Sequence, residues 1–283
     1  WRMHAAQIYR EAGDRQREAR VLREALQKSP ADPEILALLA EAEFARGETA
    51  AAVKAGRRVA QIQREADRDE QARATLESLL ERVPGDLDVL RDLFALLKKL
   101  DRAAAAIRGA ELAERLAEAG QSGEASLTFE EAAACAPHDV ELNLRRIEML
   151  KRLGRDAEAM DCRIALARAY QHHERFSEAE AILNELLEAD PQLTRAREEL
   201  VELYGRLGDS GRVEEQLTLL ADSLVAEGES GKSVSVLQRI LQLNPDSIGA
   251  RRQLIMHYRD HGQLSEAVRE LHLLADLYRR QGS

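Results

Sequence analysis

Along residues 194–207 the apolar side chains are Ala196, Leu200, Val201, Leu203, Tyr204 and Leu207, mostly three or four apart, with charged residues between them. Such spacing lays one apolar stripe along a helix, and no segment of the chain alternates residue by residue as a half-buried strand does. The pattern recurs. Pro30, Pro84, Pro137, Pro191 and Pro245 stand 54, 53, 54 and 54 residues apart, and only Pro33 lies outside the series. Seventeen residues after each proline come Gly47, Asp101, Gly154, Gly208 and Gly262. Seventeen before each come Gly13, Asp67, Gly120, Glu174 and Gly228, a series that Gly282 completes. Eight of the sixteen glycines therefore occupy two phases, as helix ends need where the chain turns through a left-handed conformation.

Each unit reads as three helices. Helix one is expected at 33–46, 86–99, 139–152, 192–206 and 247–260; helix two at 48–66, 102–119, 155–173, 209–227 and 263–281; helix three at 15–28, 68–82, 122–135, 176–188 and 231–243. Asp32, Asp86, Asp139 and Ser247 stand two residues after their prolines, where a side-chain oxygen can cap helix one, and Pro33 suits a first helical turn. The 53-residue interval places a missing residue in 102–119, and that Ala-rich helix with Gly109 is expected to be distorted. Units of this kind cannot bury their apolar face alone and are stabilised by stacking on neighbours. The expectation is an all-α chain, an α-solenoid forming one domain over 1–283. Because it starts at Trp1, part-way through a helix two, and closes on another without a polar capping helix, it is expected to be a fragment of a longer array.

The repeat resembles the tetratricopeptide repeat family. Leu254, Tyr258, Gly262 and Ala267 sit at the spacing of that family's signature Leu, Tyr, turn Gly and Ala, as do Leu200, Tyr204 and Gly208 one copy earlier. Ala72, Ala125 and Ala179 precede Pro84, Pro137 and Pro191 by twelve, like the family's second-helix Ala and closing Pro. The sequence departs from the family at the Trp position, held here by Arg251, Arg197 and Asn143, and in its 54-residue period. Both fit a fusion of the closing helix of one repeat with the opening helix of the next, giving helix two. The resemblance implies a right-handed superhelix whose helix-one side binds extended peptides or helices. Transferred to this chain, the partner-binding candidates on helix one are Arg91, Arg145, Arg195, Arg252 and Arg259, interleaved with Glu198, Glu199 and Glu202. The Asn of the family's clamp for chaperone tails is replaced by Ala95, Glu148, Glu202 and Met256, so that particular activity is not implied.

Composition narrows the picture. The 283 residues are 45% apolar, 33% charged and carry a net charge of -10, too apolar for an acidic disordered tail. No run approaches the ~18 apolar residues of a membrane helix, and an acidic balance lacks the basic stripe a nucleic-acid partner requires. Two cysteines, Cys135 and Cys162, cannot build a disulfide framework or a four-ligand zinc site. Residues 226–233, AEGESGKS, match a P-loop, but the preceding 217–225 has helical period and the aligned turns of other copies read AGQSGEA and HERFSEA, so the match is read as an ordinary repeat turn. His257 and His261, four apart, could grip a metal, yet their phases hold Leu203 and Leu207 one copy earlier, which favours packing. His172 and His173 close a helix two, where a cation suits the last carbonyls. No cofactor, metal or catalytic constellation is expected. The function that fits is a protein-interaction scaffold binding a peptide or helical segment of a protein partner in its concave groove, with the compartment left open and the cytoplasm favoured; the runner-up is a regulatory or substrate-docking arm of a larger enzyme, such as a glycosyltransferase or kinase, whose catalytic domain lies outside this segment.

Overall fold

The computed structural model describes residues 2–280; Gly282 and the last residue of the expected 263–281 helix lie outside them. In chain order, α1 (Arg2–Glu11) and α2 (Arg15–Leu26) precede α3 (Pro33–Ala45), α4 (Thr49–Glu65) and α5 (Asp69–Arg82). Then follow α6 (Leu87–Leu100), α7 (Arg102–Glu118) and α8 (Ser122–Cys135), α9 (Val140–Arg152), α10 (Asp156–His172) and α11 (Phe176–Ala189). The last two sets are α12 (Thr194–Leu207), α13 (Ser210–Ala226) and α14 (Ser230–Leu243), then α15 (Ile248–Asp260) and α16 (Leu264–Arg280). Among the described residues there is no strand. The fold is all-α, of the solenoid class, and the three helix types recur where the phases placed them.

The turns follow from their residues. Gly13, Gly47, Gly120, Gly154, Gly208, Gly228 and Gly262 all take positive φ, and at the same phase Asp67 and Glu174 are forced to φ 56 and 58. Asp32 accepts from the Glu34 and Ile35 amides at 3.0 and 3.2 Å, Asp86 from Asp88 and Val89 at 3.1 and 3.0 Å, and Asp139 from Leu142 at 2.9 Å. These bonds satisfy amide donors that have no partner within the helix. Ser247 makes no side-chain cap bond, contrary to expectation.

A second expectation also fails. Helix α7 has the same 17 residues as α4, α10, α13 and α16, so the missing residue is not taken from it. It is lost in the turn. Asp101 alone links α6 to α7, with φ -152 in place of a left-handed turn, and its carboxylate caps α7 through the Ala104 amide at 3.0 Å. Gly109 serves packing instead: a Cβ there would lie 2.6 Å from Phe94 Cε2 and 2.8 Å from Ala132 Cβ.

The chain divides into two compact units, one ending at Arg155 and one beginning at Asp156. In the first, Ala19, Leu22, Ile35, Leu39 and Ala42 join α2 to α3, and Leu36, Ala40, Ala55 and Val59 join α3 to α4. The second is built on Leu183, Leu186, Leu200, Leu203, Leu217, Leu220, Leu237, Ile240 and Leu254, so that α11 to α15 share one continuous apolar core.

Candidate functional site

Helix one keeps one phase for packing and the neighbouring one for solvent. Ile35, Val89, Leu142, Ala196 and Ala250, five residues after each proline, are all buried. One residue earlier, Glu34, Asp88, Glu141, Arg195 and Gly249 are all exposed and differ in charge and size. Six residues after the proline a different constraint acts. Asn143 Nδ2 donates to the Pro137 carbonyl at 3.2 Å, and a guanidinium nitrogen of Arg197 and of Arg251 donates to the Pro191 and Pro245 carbonyls at 2.8 Å. The residues in place of the family's Trp thus tie helix one back to the turn that starts it.

Most of the candidate arginines are already engaged. Arg145 grips Glu114 of α7 through Nε and a terminal nitrogen, both at 3.0 Å, and this bond holds its pKa above the usual guanidinium value. Arg91 reaches Glu124 of α8 at 2.9 Å and Asp88 at 3.2 Å. Arg195 pairs with Asp161 and Arg259 with its neighbour Asp260. Arg252 is exposed and makes no ion pair among the described residues.

The Arg145 pair belongs to a series between helix two and the next helix one. Arg57 of α4 bonds Asp92 of α6 at 2.6 Å; Glu114 of α7 meets Arg145 of α9; Arg168 of α10 bonds Glu199 of α12 at 2.7 Å; Gln253 of α15 donates to Asp222 of α13 at 2.8 Å. The cation sits on helix two, then on helix one, then on helix two again. The last three pairs are 31 residues apart, a signal present in the sequence but visible only once the helices are known to be neighbours.

Sequence reasoning missed a concavity on α4. A cavity of about 730 Å³ in the first unit is floored by Leu36, Leu39, Ala55, Ala60 and Leu76. Its charged lining comprises Arg23, Glu43, Lys54, Arg57, Arg58, Arg64 and Asp92. The signal was there, in the KAGRR run and Arg64 of α4, but helix two had been treated as a packing element.

The other motifs resolve into structure. Residues 226–233 form the end of α13, a turn and the first turn of α14; Ser233 is buried and its hydroxyl donates to the Ala221 carbonyl at 3.1 Å, while Lys232 pairs with Glu229 at 3.4 Å. A P-loop needs a preceding strand and a free hydroxyl, and this segment has neither. His257 and His261 stack with ring centroids 4.1 Å apart, and no group of three or more His, Cys, Asp or Glu able to hold a metal occurs among the described residues. Cys162 is buried and Cys135 half-buried. No helix of the described residues is long and apolar enough to cross a membrane.

The tetratricopeptide repeat family is matched over residues 4–69, 55–86 and 147–203. The second match begins inside α4 and closes just beyond α5, the pairing that a shared helix two allows. Among solved structures, the chain is similar to PilW, a widely conserved type IV pilus biogenesis factor, at 18% identity over 76% of this chain and 96% of that one, with a TM-score of 0.31. It is also similar to MamA of Desulfovibrio magneticus, at 15% identity over 81% and 97% of the two chains, with a TM-score of 0.24. No curated protein matches it.

Proposed function

We propose that this chain, a tetratricopeptide repeat protein and interaction scaffold, holds an extended or helical segment of a protein partner against the exposed sides of helices one and two. The observation that carries the reading is the contrast on helix one. The buried phase at Ile35, Val89, Leu142, Ala196 and Ala250 stays apolar, whereas the exposed phase beside it changes from acidic to basic to glycine. Repeats that served only to stack would need the first and leave the second to solvent; repeats that read a partner need both. The candidate contacts remain Arg91 and Arg145 in the first unit and Arg195, Arg252 and Arg259 in the second. Binding at a solenoid face is carried by a few anchors rather than by area. An arginine held in a bidentate pair must first give up that pair, which makes exposed Arg252 the readiest anchor of the five.

The test is capture of the partner by the intact protein and by its Arg252→Glu variant, with Arg239→Glu on the exposed side of α14 as the control. Loss of the partner with the first and retention with the second is expected. Retention with Arg252→Glu and loss with Arg239→Glu would move the binding face to helix three and refute the family analogy.

A further inference from the structure

We propose that the cavity of the first unit is a binding site for an acidic segment of a partner protein, read by Lys54, Arg58 and Arg64 on α4. The inference rests on the scaffold reading and assigns it a place and a ligand charge. At about 730 Å³ the cavity falls in the range of ~300–1,000 Å³ typical of built ligand sites.

Its charges do not cancel. Five cations line it against two carboxylates, and both carboxylates are consumed inside the fold. Glu43, almost wholly buried, accepts from Arg23 at 2.5 Å and from Arg46 at 2.6 Å, and Asp92 accepts from Arg57 at 2.6 Å. Lys54 and Arg64 have no ion pair among the described residues, and Arg58 has only Glu65 at 3.8 Å. On a chain with net charge -10, this is a local excess of positive charge without a structural partner.

The fold does not require it. At the positions of Lys54 and Arg64 helix α16 carries Arg269 and Arg279, but α7, α10 and α13 carry Ile107, Asp161 and Glu215 at the first and Ala117, Gln171 and Val225 at the second. Those copies form the same 17-residue helix without the cations. Lys54, Arg58 and Arg64 all line the cavity and are spread along about 15 Å of α4 at 1.5 Å per residue, a span that an acidic stretch of a partner chain can match. The apolar floor beside it supplies contact for aliphatic side chains of that stretch. Polyanionic nucleic acid is the weaker fit, because no aromatic side chain lines the cavity as a stacking platform for bases.

The probe is a fluorescein-labelled peptide repeating Leu-Glu-Glu-Glu, titrated by anisotropy against the full chain, with a Leu-Lys-Lys-Lys peptide and single-stranded oligouridine as comparisons. The acidic peptide is expected to bind best, and the double variant Lys54→Glu with Arg64→Glu to weaken it about tenfold or more, with loss of salt dependence. The neutral pair Lys54→Gln with Arg64→Gln gives a smaller loss in the same direction, and circular dichroism identical to wild type certifies both variants. Acidic-peptide binding that ignores these changes but is lost on Arg252→Glu overturns the cavity and leaves the scaffold reading standing. So does failure of the acidic peptide to bind while the intact protein still captures its partner through Arg252. Oligouridine binding tighter than the peptide and lost with Lys54 and Arg64 overturns the ligand class.

Discussion

The two units solve the same packing problem differently. At the eighth residue of helix two the first unit has Gly56 and Gly109, and the second has Leu217 and Leu271 after Arg163. Glycine lets the neighbouring elements approach until a Cβ would sit 2.7 Å from Leu79 Cδ2 or 2.6 Å from Phe94 Cε2. In the second unit the Leu217 side chain, wholly buried, fills the gap itself, and Leu271 on α16 is 47% exposed because no helix of the described residues covers that face. The same contrast appears in helix three: α5 buries Ala72, Leu76, Leu79 and Leu80, while α14 buries only Ser233, Leu237 and Ile240. Wholly buried large side chains are nevertheless found in both units, Leu22, Leu76 and Phe129 in the first and Leu183, Leu217 and Ile240 in the second, so the difference lies in how the space between helices is filled. A fixed period sets where helices start and stop; it leaves open whether backbone proximity or side-chain volume fills the space between them.

The largest effects test that filling. Phe129, at 0% exposure on α8, is expected to cost about 3–5 kcal/mol when changed to Ala, because the cavity left among rigid neighbours adds to the lost burial. Leu237→Ala in α14 is expected to cost nearer 2 kcal/mol, at the low end of the leucine range, since its helix buries few residues around it. Denaturant melts followed by circular dichroism give both numbers, and a loss at Leu237 matching that at Phe129 would erase the difference between the units. The single-domain expectation has its own check in the same experiment: one calorimetric transition moved by both changes supports it, and two transitions, each answering to one change, retire it.

Next come the glycines. Gly109→Ala is expected to destabilise by about 1–3 kcal/mol, because the new methyl meets an aromatic ring and the Ala132 Cβ, which is fixed to backbone. Gly56→Ala meets first the δ carbons and Cγ of Leu79, the mobile end of a side chain. The gain of about 1 kcal/mol in helix propensity then offsets the crowding, and the net change should lie near zero. Equal costs at the two sites would mean that both glycines are held by backbone contact, and the distinction drawn within the first unit would go.

This difference between period and filling also marks how much was legible beforehand. Helix boundaries came from proline, glycine and aspartate, residues whose backbone preferences act locally, so most helices begin within two or three residues of expectation. The shortened connection at Asp101 was misplaced because a deletion in a turn and a deletion in a helix leave the same spacing between Pro84 and Pro137. The engagement of Arg91, Arg145 and Arg195 was invisible for a different reason: their partners Glu124, Glu114 and Asp161 lie 31 to 34 residues away on other helices. Exposed phase alone cannot distinguish a paired charge from an available one. Lys54 and Arg64 were passed over because the family analogy directed attention to helix one.

Caps give a smaller contrast. Asp86 satisfies two amides of α6, so Asp86→Ala is expected to cost about 1 kcal/mol. Ser247 stands at the same phase before α15 with no cap bond, and Ser247→Ala should change stability by no more than a few tenths of a kcal/mol. A matching loss at Ser247 in thermal melts would show that its hydroxyl does cap the helix in solution and would bring the two units closer together.

The smallest effect is a pH dependence confined to the second unit. Half-buried His257 has its pKa held below 6.5, first by burial and then by the stacked imidazole of His261, with Asp260 acting in the opposite sense. A histidine whose folded pKa is lowered binds its proton less readily in the fold than in the unfolded chain. Below about pH 6.5 the unfolded chain therefore takes up more protons, and stability falls with pH until the folded pKa is passed, after which this group adds no further loss. His257→Leu restores the residue type found at the same phase, Leu203, and removes the titrating group without opening a void. Between about pH 7.5 and 5.5 the wild type should lose more in Tm than this variant, while Phe129→Ala and its parent should keep a constant separation. Parallel curves for wild type and His257→Leu would mean that the imidazole is solvated well enough to titrate normally, and that the last helix pair is looser than its contacts with Tyr258 and His261 imply.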